Sequence, residues 1–69
     1  MKLIKFRQLK PEKGITYTKG WLLTKSKRGE FPAPLYLSPR ALAWVESEVD
    51  AWLEGLRAAR DARLTESAD

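Results

Sequence analysis

The sequence predicts a small α+β domain, mostly α, and three observations carry that expectation. Two short segments with helix start and stop signals lie a few residues apart before residue 30. A proline-rich break and two brief apolar runs follow. The chain then closes on an apolar stripe with helical period. At 69 residues there is room for one core and one domain, since a chain of this size buries only about 60% of its unfolded surface.

Residues 2–6 alternate loosely, which suits a short edge strand or an ordered arm, with Phe6 and Leu9 as core anchors. Residues 8–13 form the first helix, where Pro11 is tolerated in a first turn whose N–H groups lack partners. Gly14 stops that helix as a left-handed cap. A tight connection through Ile15, Thr16 and Tyr17 leads to Thr18, whose hydroxyl can cap a second helix over residues 19–27. Trp21, Leu22 and Leu23 cannot all face one side of that helix, so either Trp21 or Leu23 faces outward. Gly29 closes it.

Phe31-Pro32-Ala33-Pro34 forbids helix and favours extended chain. Residues 35–37 and 42–45 then read as two strands of a hairpin. Pro39 presets the turn and Arg40 lies near its tip. Tyr36 is expected to point away from a face shared by Leu35 and Leu37. Ser47 is the expected N-cap of the last helix, with Glu48 and Asp50 in its first turn. Val49, Trp52, Leu53 and Leu56 follow i, i+3, i+4, i+7, which places one stripe, including Trp52, on the core. Trp44 belongs to the core on strand alternation. Arg57 and Asp61 are spaced i, i+4. Residues 65–69 are expected to fray. Helix, turn, helix, hairpin, helix is the order of a winged helix-turn-helix, here a single domain over residues 1–69.

Charge is unevenly spread. Residues 1–40 carry ten basic residues and two acids, net +8, while residues 41–69 carry three and seven, net −4. The whole-chain value of +4 conceals this split. A basic portion set against an acidic one is the electrostatic footprint of a polyanion binder, as well as of a plain solvated surface. The chain has no Cys and no His, so thiolate metal sites, disulfides and a Ser-His-Asp triad are excluded. The acids Glu46, Glu48, Asp50 and Glu54 suit helix-start electrostatics and a solvated face better than a metal or catalytic pair. No apolar run is long enough for a membrane span, and charges interrupt every apolar stretch of Met1–Arg7. The expectation is a cytoplasmic protein with no catalysis, no cofactor, no metal, no small-molecule ligand and no membrane partner.

Four stretches occur together in a distinctive order: Lys13-Gly14-Ile15-Thr16-Tyr17-Thr18-Lys19, Gly29-Glu30-Phe31-Pro32-Ala33-Pro34, Leu37-Ser38-Pro39-Arg40, and Trp44-Val45-Glu46-Ser47-Glu48-Val49-Asp50-Ala51-Trp52. This order resembles the AlpA-type phage regulators, which are themselves similar to the MerR-like excisionases. The resemblance covers roughly residues 5–57. It implies a bacterial, phage-borne winged helix-turn-helix protein that binds double-stranded DNA sequence-specifically and regulates transcription. Some relatives act instead as excision factors that bend DNA for an integrase, so an integrase or further copies of the chain are implied partners. The resemblance makes the helix beginning at Thr18 the recognition helix and Arg40 the wing contact. This chain departs from the pattern at Gly20, a weak helix former worth up to about 1 kcal/mol relative to Ala, and at Lys25, where relatives carry an apolar residue.

The residues expected to meet DNA are therefore Thr16, Tyr17, Thr18, Lys19, Trp21, Lys25, Lys27, Arg28 and Arg40. Lysine and arginine neutralise phosphates, and polar side chains on the helix read base edges in the major groove. Tyr17 can bond a phosphate or simply cap the turn. The Arg57–Arg63 segment touches phosphates or another subunit, or is an exposed helix end. From a different class, a protein-interaction module would use Trp21 and the Leu22/Leu23 face to dock a partner.

Overall fold

The computed structural model describes residues 1–67, with side chains through Leu64. The elements run β1 (Leu3–Lys5), α1 (Phe6–Lys13), α2 (Lys19–Lys27), β2 (Leu35–Ser38), β3 (Ala41–Val45) and α3 (Glu46–Ser67). The fold is the small α+β winged helix-turn-helix that the sequence predicts. The N-terminal segment takes the strand option, so the wing is part of a three-stranded antiparallel sheet in the order β1-β3-β2. Its register pairs Ile4 with Trp44 and Tyr36 with Leu42. A bulge between Tyr36 and Ser38 leaves Leu37 out of the ladder. Bulges bend a strand and re-aim a side chain, and Leu37 no longer shares a hollow with Leu35.

Local caps set the helix ends. The Lys5 amide donates to Gln8 Oε1 at 2.8 Å, which starts α1 at Phe6, two residues before the sequence expectation. Pro11 thus stands at the sixth helical position, not in the first turn, and the missing N–H costs the bond to the Arg7 carbonyl. Gly14 at φ 70° ends α1, and the Ile15 amide turns back to the Leu9 carbonyl at 3.1 Å. Thr18 Oγ1 accepts from the Trp21 amide at 3.2 Å, as a capping threonine should. At the far end of α2, Gly29 at φ 74° lets its own amide reach Ser26 O at 3.1 Å and the Glu30 amide reach Lys25 O at 2.9 Å. These two bonds are a Schellman motif.

The expected Ser47 cap is absent. α3 begins at Glu46, directly after β3, because the Glu46 amide donates to the Lys2 carbonyl at 2.9 Å. Backbone just before β1 thus replaces a capping side chain. The helix continues to Ser67; residues 68 and 69 of the segment expected to fray lie outside the described residues.

The core gathers Ile4, Leu9, Ile15, Leu22, Phe31, Trp44 and Val49, with Phe6, Trp21, Leu42, Trp52 and Leu53 packed at its margin. Phe6 is thus a margin residue and Leu9 the true anchor. The α3 stripe stops at Leu53, and Leu56 is half exposed. A 22-residue helix is about 33 Å long, and its later turns pass beyond the core.

Phe31 lies edge-on to both Trp44 (centroids 5.9 Å, 74°) and Trp52 (4.8 Å, 77°). The two indoles also donate to the segment Phe31 belongs to: Trp44 Nε1 to Pro32 O at 2.9 Å and Trp52 Nε1 to Glu30 O at 2.8 Å. Ser26 Oγ lies 2.9 Å from the same Pro32 carbonyl. The proline-rich link is thereby tied to α2, β3 and α3 at once. Phe31→Ala is expected to cost about 3–5 kcal/mol, a large share of the stability of so small a domain, and urea denaturation followed by tryptophan fluorescence measures it.

Candidate nucleic-acid interface

The ion pairs sort the cations into two groups. Glu46 and Asp50 in the first two turns of α3 face Lys2 and Lys13: Lys13 Nζ is 2.8 Å from Asp50 and 3.8 Å from Glu46, and Lys2 Nζ is 3.7 Å from Glu46. Lys25 Nζ is 3.3 Å from Glu30 and 5.4 Å from the Trp21 ring centroid. Arg57 pairs within its own helix with Glu54 and Asp61, and Arg60 pairs with Asp61. Among the described residues, Lys5, Arg7, Lys10, Lys19, Lys27, Arg28 and Arg40 have no carboxylate partner.

Five of these seven converge. A cleft of about 380 Å³ between the wing and the two helices is lined by Lys5, Arg7, Lys19 and Arg40 over an apolar floor of Phe6, Leu37 and Leu42. Lys19 Nζ stands 5.4 Å above the Phe6 ring, a cation–π contact that holds it over this floor. A second hollow shares Phe6 and Arg7 and adds Lys10, Thr16 and Tyr17. No carboxylate lines either hollow among the described residues. Lys19 is the first residue of α2, so unpaired amides and the positive end of the helix dipole add to the field there.

The sequence-predicted residues divide accordingly. Lys19 and Arg40 meet in the first cleft, and Thr16 and Tyr17 line the adjoining hollow. Thr18 is exposed, with its hydroxyl spent on capping. Trp21 is half-buried: Tyr17 stacks on its ring at 3.8 Å and 13°, Lys25 lies over it, and it packs on the core margin. Leu23, by contrast, lies outside the core cluster. Lys25 is turned to Glu30 and Trp21 within its own domain, which is where its departure from an apolar residue finds a use. Lys27 lines a separate cleft with Leu23 and Tyr36. Arg28 is the exposed C-cap of α2 and lines none of these hollows. Lys5, Arg7 and Lys10 join the surface although sequence reasoning counted them only as charge. Their signal is negative, the absence of an acid opposite them, and it emerges only once the register of β1 and α1 against α3 is known.

Two helices joined by a tight turn, a two-stranded wing beside them, and a cationic cleft with no carboxylate in its lining define a winged helix-turn-helix module with one strongly basic surface. The model of the family described as prophage CP4-57 regulatory protein (AlpA) matches residues 2–57, and the chain belongs to that family of phage regulatory proteins. The matched span holds every residue of the two basic hollows. No curated protein matches the chain. No helix among the described residues is long and apolar enough to cross a membrane.

The Lys13 ammonium is held above its ordinary range, chiefly by the Asp50 carboxylate that accepts its hydrogen bond, with Glu46 and Glu12 adding to the attraction and burial opposing it. A folded-state pKa raised above the unfolded value contributes stability that is complete below the ordinary lysine range and fades as pH climbs through the raised value. Wild-type protein is therefore expected to lose stability above about pH 10.4, and Lys13→Met to lose less over the same interval. Urea midpoints at neutral and strongly alkaline pH compare the two.

Proposed function

We propose that this chain is a sequence-specific double-stranded DNA-binding regulator of a phage or other mobile element. The single observation that carries the reading is the segregation of cations. Acids of α3 neutralise Lys2 and Lys13 on one side, while Lys5, Arg7, Lys10, Lys19 and Arg40 line two adjoining acid-free hollows at the wing and the start of α2. A plain solubility surface has no need of such convergence. Phosphates supply the matching charge pattern, and their neutralisation gives affinity independent of sequence.

In this reading α2 lies in a major groove, which admits a helix. Lys19 and the Thr16–Tyr17 turn meet the backbone at its entrance, and Arg40 follows the wing into the neighbouring minor groove, where negative potential attracts arginine. Lys5, Arg7 and Lys10 extend the phosphate track. The work is done where bacterial DNA is, in the cytoplasm. Promoter control and excision with an integrase both rest on this interface. Transcription from a neighbouring promoter and an excision assay with the adjacent integrase separate them, and the family description, a regulatory protein, favours the first.

The test is the salt dependence of binding to a short duplex, followed by fluorescence anisotropy. Each phosphate contact contributes about −0.9 to the slope of log K against log salt. Arg40→Ala and Lys19→Ala are each expected to make that slope shallower by about 1. Lys2→Ala, which removes a cation already paired with Glu46, is expected to leave it unchanged. A salt-independent association, or equal effects from all three variants, contradicts the reading.

A further inference from the structure

Leu23 is an apolar side chain that stands between two lysines on α2 and lines a largely apolar cleft with Ala33, Pro34 and Tyr36. It lies four residues after Lys19 and four before Lys27 on α2, so the three share one stripe of the helix. Leu22 beside it is fully buried, whereas Leu23 is half-buried and outside the core cluster. It lines a cleft of about 290 Å³ with Ser26, Lys27, Pro34 and Tyr36, and Tyr36 opposite is 64% exposed. No carboxylate lines this cleft among the described residues, and neither flanking lysine has an acid partner.

The two lysines select a polyanion, and the leucine between them then needs an apolar group carried by that polyanion. In the major groove the base edges of unmodified DNA offer one such group, the C5-methyl of thymine. We infer that Leu23 is a specificity-determining residue that reads a thymine methyl, an assignment that rests on the duplex-binding reading above. Lys19 and Lys27 hold the backbone on either side, and Leu23 distinguishes thymine from the other bases by contact with its methyl.

The probe is a duplex recovered by the wild-type protein from a randomised pool, then resynthesised with each thymine in turn replaced by deoxyuridine. That exchange deletes the methyl and keeps every hydrogen-bonding group. Wild-type protein is expected to lose about fourfold in affinity at a particular thymine, the factor given by one methyl no longer buried. Leu23→Ala, checked as folded by circular dichroism, is expected to bind the two duplexes alike with an unaltered salt slope. Equal affinity of the wild type for every substituted duplex overturns the assignment while leaving DNA binding intact. Discrimination that survives in Leu23→Ala overturns it too. If the pool yields no bound duplex at any salt concentration, the duplex-binding reading fails and this inference falls with it.

Discussion

The geometry of the molecule depends on how Phe31 is held between Trp44 and Trp52. The segment of residues 30–34 has two prolines and no regular structure, so it cannot satisfy its carbonyls through a ladder of its own. Indole N–H groups from β3 and α3 do so instead, at Pro32 and Glu30, while the phenyl ring between the two indoles supplies apolar burial. This one cluster connects the end of α2 to the wing and to the last helix. It fixes the link between α2 and the wing, while the pairing of β3 with β1 fixes the wing against the start of α1. The cleft that brings Arg40 beside Lys19 thus depends on both the aromatic cluster and the sheet.

Charge is arranged with the same economy. The four acids between Glu46 and Glu54 are half the length of the chain away from the basic residues of β1 and α1, yet Glu46 and Asp50 meet Lys2 and Lys13 directly. These are largely surface pairs, each worth little in stability. Their effect is on the field: they cancel positive charge on the α3 side and leave it unbalanced in the hollows around Phe6 and Arg7. A molecule of net +4 thereby presents one strongly cationic side. The apolar floor of the cleft, Phe6, Leu37 and Leu42, lowers the local dielectric and strengthens that field.

Features with local causes were legible in the sequence. Thr18 as a cap, Gly14 as a left-handed stop and Gly29 as the end of the second helix follow from backbone donors and acceptors within a few residues. The hairpin, the core place of Trp44 and the place of Trp52 against the core follow from turn chemistry and periodicity. What the sequence left open depended on distant partners. Ser47 looked like a cap because nothing in its neighbourhood says that the Lys2 carbonyl will take the Glu46 amide. Leu56 looked like core because a stripe does not reveal where the core beneath it ends. The start of α1 was read late because Gln8 serves as a cap partner for Lys5 only when β1 has brought the chain in extended. Of the candidate contacts, Lys19 and Arg40 were picked by their place on the helix and wing and come together in one cleft, while the pairing of Lys25 with Glu30 was hidden because Glu30 reaches it only through the turn at Gly29.

If the reading is right, the five converging unpaired cations, and not the cations paired with acids, meet duplex DNA. Amide chemical-shift mapping during titration with a short duplex at low salt tests it most directly. Shifts are expected to concentrate at Lys5, Arg7, Lys10, Thr16, Tyr17, Lys19, Leu23, Lys27 and Arg40, with Lys2, Lys13, Glu48 and Arg57 left unmoved. Shifts centred on α3, or spread evenly over both sides of the molecule, would contradict it.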